Sequence, residues 1–311
     1  MATSPQTESA RGLAEFVADQ KSFSVGGITV GGRPGVRPAV LVGSIFYHGH
    51  KVIIDENKGE FDRDDAERRI RAKEAFAKKT GNPCMLDVVG ATPEAIRRHV
   101  EFVAGVTDMP FLVDGTTTEV RQAGMEYAAE AGLMSRVVYN SIQPEVSDAE
   151  LNMIRELGVE TALVLTYYLD DFTAKGRVES VRQLLPKLED AGVRQVMVDT
   201  CVIDLATLGQ GCSAMVDIKN EFGLPVGGGV HNAVAMWHGL KEKMGPEAKK
   251  PCTASASAAA IMVGADFVLY GPIEDAGIVF PAVAMVDTAL SQLAMERGES
   301  PPDDHPRYLI G

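Results

Sequence analysis

Short apolar runs in this chain end, one after another, in residues able to do chemistry: Ser44, Asp87, Asp114, Asn140, Tyr167, Asp199, the glycines 227–229 with His231 and Asn232, and Tyr270. Three carboxylates and two carboxamides brought to one mouth suit a ligand with several N–H donors and some acceptors. A polar residue at a strand end has a second use, as the N-cap of the helix that follows. Asp199 fits that use worst, because Val198-Asp199-Thr200-Cys201-Val202-Ile203 runs on through apolar residues and leaves no nearby amides to cap. Asn140 precedes Ser141-Ile142-Gln143-Pro144, with the next helix delayed to about Ser147. Asp114 is followed by Thr116, which can cap by itself, and Asp87 can serve loop amides around Gly90.

The triplet Gly227-Gly228-Gly229 lets backbone come close to a flat ligand around Gly228. It lacks the lysine and hydroxyl of a phosphate loop and the spacing of a dinucleotide fingerprint. His48-Gly49-His50 has the form of the opening pair of a binuclear metal site. The runs that should supply further histidines end instead in Tyr167-Tyr168 and Asp199, so no bound metal is expected. His231 and His238 lie two turns apart on one expected helix face, and His238 reads as structural. Cys84, Cys201, Cys212 and Cys252 are scattered without a Cys-x-x-Cys pair, and no Gly-x-Ser-x-Gly elbow occurs.

The elements that must position these residues follow from periodicity. From Ala39 onward β-branched runs alternate with helical patterns: Ala39 to Val42, Met85 to Val89, Phe111 to Val113, Val137 to Tyr139, Ala162 to Leu165, Gln195 to Val198, Leu224 to Val226 and Phe267 to Leu269. Strand and helix repeated this way predict an α/β chain closed as a (β/α)8 TIM barrel, with an open doubly wound sheet as the fallback. Thr92-Pro93, Ser147 with Glu150, and Thr116 with Glu119 mark helix starts. Pro186 should kink or end its helix, and 244–252 reads as a surface loop ahead of a small-residue helix over 254–263. Before the first barrel strand, Phe23, Val25, Ile28 and Val30 around Gly26-Gly27 predict a short N-terminal β-hairpin plugging the barrel floor. One domain over 1–311 is expected, with 1–22 and 299–311 as peripheral tails and 48–61 as an adjustable rim.

With 45% hydrophobic residues in 311, the chain can bury a large core. A net charge of −13 speaks against nucleic acid as a partner. The reading is that no apolar run is long enough to span a bilayer and that the first 20 residues are no signal peptide, so a cytoplasmic protein without direct membrane insertion is expected.

The runs Val40-Leu-Val-Gly-Ser-Ile-Phe-Tyr-His-Gly-His-Lys-Val52, Gly81-Asn-Pro-Cys-Met-Leu-Asp-Val-Val-Gly90, Phe111-Leu-Val-Asp-Gly-Thr116 and Gly227-Gly-Gly-Val-His-Asn232 resemble the H subunit of tetrahydromethanopterin S-methyltransferase and its bacterial relatives, the methylcobalamin:tetrahydrofolate methyltransferases. The resemblance covers about Phe23 to Met295. It implies a methyltransferase that moves a methyl group between a corrinoid and N5 of a reduced pterin, with tetrahydrofolate as the leading pterin. The alternative is a non-catalytic pterin-binding subunit of a larger complex using tetrahydromethanopterin. It further implies that Asp114, Asn140 and Asp199 grip the pterin, assisted by Asp87, Gly228 and Ser44, and that Asn232 approaches N5 as the catalytic group. Cobalamin is expected to arrive on a corrinoid protein or as free methylcobalamin, since no Asp-x-His-x-x-Gly corrinoid signature is present. The family implies a homodimer. Gly115 departs from it, standing where a serine is expected.

Overall fold

A computed structural model describes residues 13–167 and 171–311. Tyr168 and the first twelve residues of the expected N-terminal tail lie outside the described residues.

The chain opens with a hairpin, β1 (Ser22–Val25) and β2 (Ile28–Gly31), turning on Gly26 and Gly27, both at positive φ. Then come β3 (Val40–Ile45), a second hairpin of β4 (Ile53–Asp55) and β5 (Glu60–Phe61), α1 (Arg63–Thr80), β6 (Cys84–Gly90) and α2 (Pro93–Val106). Regular alternation continues through β7 (Phe111–Gly115), α3 (Thr118–Glu130), β8 (Val137–Ile142), α4 (Asp148–Glu156), β9 (Thr161–Leu165), α5 (Ala174–Asp190), β10 (Gln195–Asp199) and α6 (Thr207–Phe222). The last third holds β11 (Val226–Gly227), α7 (Asn232–Ala235), α8 (Leu240–Met244), α9 (Lys249–Met262), β12 (Phe267–Pro272), α10 (Ala276–Glu296) and α11 (Pro306–Leu309).

Eight parallel strands pair in the order β11-β10-β9-β8-β7-β6-β3-β12. The Asp266 and Leu269 amides donate to the Val226 and Gly228 carbonyls at 2.7 and 3.1 Å, joining the two edge strands and closing the expected barrel. Alternation along each strand decides what faces inward. Val40, Val42, Met85, Leu112, Val138, Leu163, Met197, Phe267 and Leu269 form one buried cluster inside the barrel, and Val25 and Val30 of the first hairpin belong to it, so that hairpin plugs the floor as the sequence predicts. The neighbours of these residues along each strand, such as Leu41, Leu86, Val113 and Val198, pack outward under the helices.

Several boundaries depart from the sequence reading. Thr117, not Thr116, caps α3, and Ser147 caps α4 while Glu150 turns into the core to bond Tyr139 and Arg121. Helix α5 runs through Pro186, because Leu184 and Leu188 on its inner face stay packed and tertiary burial outweighs the lost amide. The expected loop 244–252 is largely helical: Pro246 starts a 3-10 turn and Pro251 sits in the first turn of α9, where an amide has no intrahelical partner anyway.

Within the described residues, parts of both tails pack against the barrel. The Lys21 amide donates to Gly223 O, and His305 is fully buried ahead of α11. Within segment 48–61, expected as an adjustable rim, residues 53–61 form a hairpin; Phe61 packs on Phe46 and Phe102, and Thr92 Oγ1 donates to Asn57 O at 2.6 Å. Among the described residues one helix, Ile273–Glu296, is long and apolar enough to cross a membrane, contrary to the sequence reading. Half of that stretch is buried in the fold, with Phe280, Val283 and Leu290 turned inward.

Candidate active site at the barrel mouth

Two residues beyond the inward-facing core positions, the same side of each strand reaches the C-terminal end of the barrel. That parity carries Val42 to Ser44, Met85 to Asp87, Leu112 to Asp114, Val138 to Asn140 and Met197 to Asp199. Parallel pairing sets them side by side, Ser44 opposite Asp87, Asp114 opposite Asn140 and Asp199 opposite Gly227. Five of the seven expected site residues thus share one mouth, and the segment after β11 adds Gly228 and Asn232.

Asp87 is the hub of one side. Its Oδ2 accepts from Ser44 Oγ at 2.7 Å and its Oδ1 from Asn140 Nδ2 at 3.1 Å. The carboxylate is therefore not spent on loop amides around Gly90. Burial pushes its pKa up, and the Ser44 and Asn140 donors pull it back. The pairing also orients Asn140: with Nδ2 committed, Oδ1 is the atom left for a ligand. Asp114 stands between these partners. Burial first, and the Asp87 charge second, push its pKa well up, while among the described residues only the Gly115 amide bonds it. Gly115 is explained by packing, since a Cβ there would sit 2.6 Å from Val120 Cγ1.

The other side rests on backbone. Asp199 Oδ1 accepts from the Cys201 amide at 2.7 Å, so the expectation that no amides lie near it fails; the chain bends back at Cys201, at φ 54°, and presents its own N–H. Burial raises Asp199 to about 6 against the Cys201 and Gly229 amides and the Arg177 charge, which lower it. A Cβ on Gly228 would lie 2.9 Å from Asp199 Oδ1, which is the reason for glycine there. Asn232 Nδ2 donates to Val202 O at 3.0 Å, leaving its Oδ1 free among the described residues.

Tyr270 leaves the set. It follows inward-facing Leu269, so it points outward, buried under Phe280 with Lys73 Nζ above its ring. The histidines part company as well: His48 pairs with Glu56, and His50 takes the Phe46 amide on Nδ1 and meets Glu274 through Nε2. Helix α7 ends at Ala235, so His231 and His238 share no helix face; His231 Nδ1 bonds Leu269 O. Among the described residues no three His, Cys, Asp or Glu side chains cluster as metal ligands would.

The sequence reading missed two buried arginines. Arg177 donates to the carbonyls of Thr200 and Cys201, and Arg121 to Gly115 O beside Asp114 at 2.9 Å. A signal existed for the first, since Arg177 shares helical spacing with the apolar positions Val181, Leu184 and Leu188, all buried.

Fold and site together define a (β/α)8 barrel whose mouth is lined by carboxylates and carboxamides from separate strands. Among solved structures it is similar to dihydropteroate synthase of Yersinia pestis with a pterine-sulfa conjugate, at TM-score 0.59 and 16% identity over 88% of this chain and all of that one. It is likewise similar to the Xanthomonas albilineans enzyme in complex with 7,8-dihydropteroate, at TM-score 0.57 and 17% identity over 86% of this chain and 98% of that one. At these identities the likeness is one of fold.

The family model for the tetrahydromethanopterin S-methyltransferase MtrH subunit matches residues 18–301. The H subunit of the Methanothermobacter thermautotrophicus methyltransferase is 39% identical over 96% of this chain and the whole of that protein, and that of Methanosarcina acetivorans 37% identical over 92% and 95%. The chain belongs to the tetrahydromethanopterin S-methyltransferase MtrH subunit family.

Proposed function

We propose that this chain moves a methyl group between a corrinoid and N5 of a reduced pterin held in the barrel mouth. The observation that carries the reading is the placement of Asp114, Asn140 and Asp199 at the C-terminal ends of parallel strands around one barrel mouth, with Asn232 on the segment after β11. A 2-amino-4-oxo pyrimidine presents adjacent N–H donors, which a carboxylate accepts in pairs through strong charge-assisted bonds. Asn140, with its nitrogen held by Asp87, adds another acceptor.

A methyl on a neutral tertiary amine is a poor electrophile, so N5 must bear a proton before its bond to the methyl breaks and the electron pair stays on nitrogen. Asn232 Oδ1 accepts that N5–H, water carries the proton, and the carboxylates orient the ring. The docked corrinoid supplies the nucleophile for the methyl or, in reverse, the methyl itself.

The relatives are named for tetrahydromethanopterin, and this weighs for that pterin over the tetrahydrofolate expected from the sequence. The relatives are also named as subunits, which supports a protein partner. A corrinoid protein approaching Asn232 would meet Ile203, Leu205 and Met236, which are 42, 46 and 49% exposed on the segments after β10 and α7.

A homodimer is supported by the outer face of α9 and α10, where Pro251, Ser255, Ala259, Gly277, Pro281, Met285 and Ala289 are exposed and uncharged. Two copies of a chain carrying −13 can meet there without adding like charge. Met285→Glu should shift the protein from dimer to monomer in sedimentation, and a monomeric parent protein would dismiss this face.

The deciding assay mixes the protein with methylcobalamin and either tetrahydrofolate or tetrahydromethanopterin and follows loss of the methyl–cobalt absorbance. Tight pterin binding without turnover would favour a binding subunit instead.

A further inference from the structure

Arg177 lies in the first turn of α5 and is only 2% exposed, yet among the described residues its guanidinium meets no carboxylate. It collects backbone carbonyls from two loops. Nε donates to Thr200 O at 2.6 Å and Nη2 to Cys201 O at 3.1 Å, while Nη1 donates to Phe172 O and to Thr173 O. The turn it grips is unusual in itself. Cys201 has φ 54°, a conformation that costs an L side chain about 1–2 kcal/mol relative to the right-handed region.

This one turn supports both ends of the site. The Cys201 amide donates to Asp199 Oδ1, and the carbonyl of the next residue, Val202, accepts from Asn232 Nδ2. A guanidinium can satisfy several carbonyls with its planar fork, which an ammonium on a flexible stem cannot reproduce. Its charge also lies close enough to Asp199 to favour the carboxylate.

We infer that Arg177 is a positioning residue: by holding the left-handed Cys201 turn it fixes the Asp199 carboxylate and the Asn232 carboxamide together, so that ring binding and N5 chemistry share one support. Its kinetic consequence rests on the methyl-transfer reading; its electrostatic consequence does not.

The test begins without pterin. In protein labelled with carboxyl-13C aspartate, Arg177→Gln should move the Asp199 titration midpoint up by about half a unit or more. With tetrahydrofolate and tetrahydromethanopterin as probes, the same variant should lose about tenfold in affinity and also in kcat. Adding Cys201→Gly should recover part of both losses, because glycine holds positive φ without penalty. Should Arg177→Gln not fold, Cys201→Val keeps the arginine but forbids the turn, and is expected to lower pterin affinity with the barrel intact by circular dichroism.

An unmoved Asp199 midpoint, losses that Cys201→Gly leaves untouched, or a Cys201→Val protein with parental affinity would each overturn the assignment. Failure of the parent protein to bind either pterin would instead count against the proposed function, leaving the midpoint comparison standing.

Discussion

On the β3 to β8 side of the mouth the polar side chains hold one another, Ser44 and Asn140 both donating to Asp87, whereas on the β10 to α7 side each leans on main chain. There Asp199 takes an amide from Cys201, Asn232 gives its nitrogen to Val202, and Arg177 ties down the carbonyls of Thr200 and Cys201. The first arrangement is made by strands in register and has little freedom. The second depends on a loop conformation that a protein partner or ligand can load, which suits the end of the site where bond breaking is proposed. Ring orientation and N5 activation are thus supported by two different kinds of scaffold within one barrel.

That contrast can be broken most sharply at Asn232. Asn232→Ala should cut kcat by about 10²–10³-fold, as removal of one charge-stabilising group does elsewhere, with pterin Kd nearly unchanged. Equal losses in both would return the residue to simple binding.

Next in size comes Asp199. Asp199→Asn should weaken pterin binding by about 10–100-fold, the worth of a charge-assisted pair. It should also weaken an acid limb. Because burial lifts Asp199 to about 6, its acceptor form is lost as pH falls through that value, so affinity in the parent protein should decline below about pH 6, and the variant should decline less steeply there, keeping only what Asp114 and Asp87, also raised by burial, contribute. Titration calorimetry across pH 5–8 reads both.

On the side-chain half, Asp87→Asn replaces an acceptor of two bonds by a group that must donate with one of its arms. Asn140 then loses its orientation, and binding should weaken by roughly tenfold without a separate effect on kcat. A selective kcat loss would mean that the two halves are not separable.

The smallest effect tests burial away from the mouth. Asp287 on α10 accepts from Asn82 Nδ2 at 2.6 Å and from the Ala39 amide at 3.2 Å at the floor, and burial raises it to about 7. Between its ordinary value near 4 and that raised value the unfolded chain is ionised while the folded chain holds a proton. Stability therefore falls as pH rises through this window and is level above it. Asp287→Asn should raise Tm by a few degrees at pH 8 and little at pH 4. No pH dependence in that difference would show that water or a donor compensates the charge.

Much of the side-chain half could be read in advance because strand parity is a local property. Once Met85, Leu112 and Val138 are inward, Asp87, Asp114 and Asn140 follow on the same side two residues later. Tyr270 was misplaced by the same rule applied one residue out of step, in a strand whose register shifts between Leu269 and Pro272. The backbone half gave no such warning. A cysteine at positive φ has no preference in its type that would announce it, and the helical spacing that marks Arg177 as inward says nothing of the carbonyls of two loops to which it is recruited.

By itself the sequence determined the eight barrel strands and most of the helices between them, the floor hairpin and the family, because periodicity and turn chemistry act over a few residues. Tertiary structure alone decided which amides and carbonyls those residues meet: that Asp87 serves Ser44 and Asn140, that Asp199 is caught by its own chain two residues on, and that Arg177 supports the turn. Such pairings join positions up to dozens of residues apart and exist only once the barrel has closed and excluded the water that would otherwise satisfy each group.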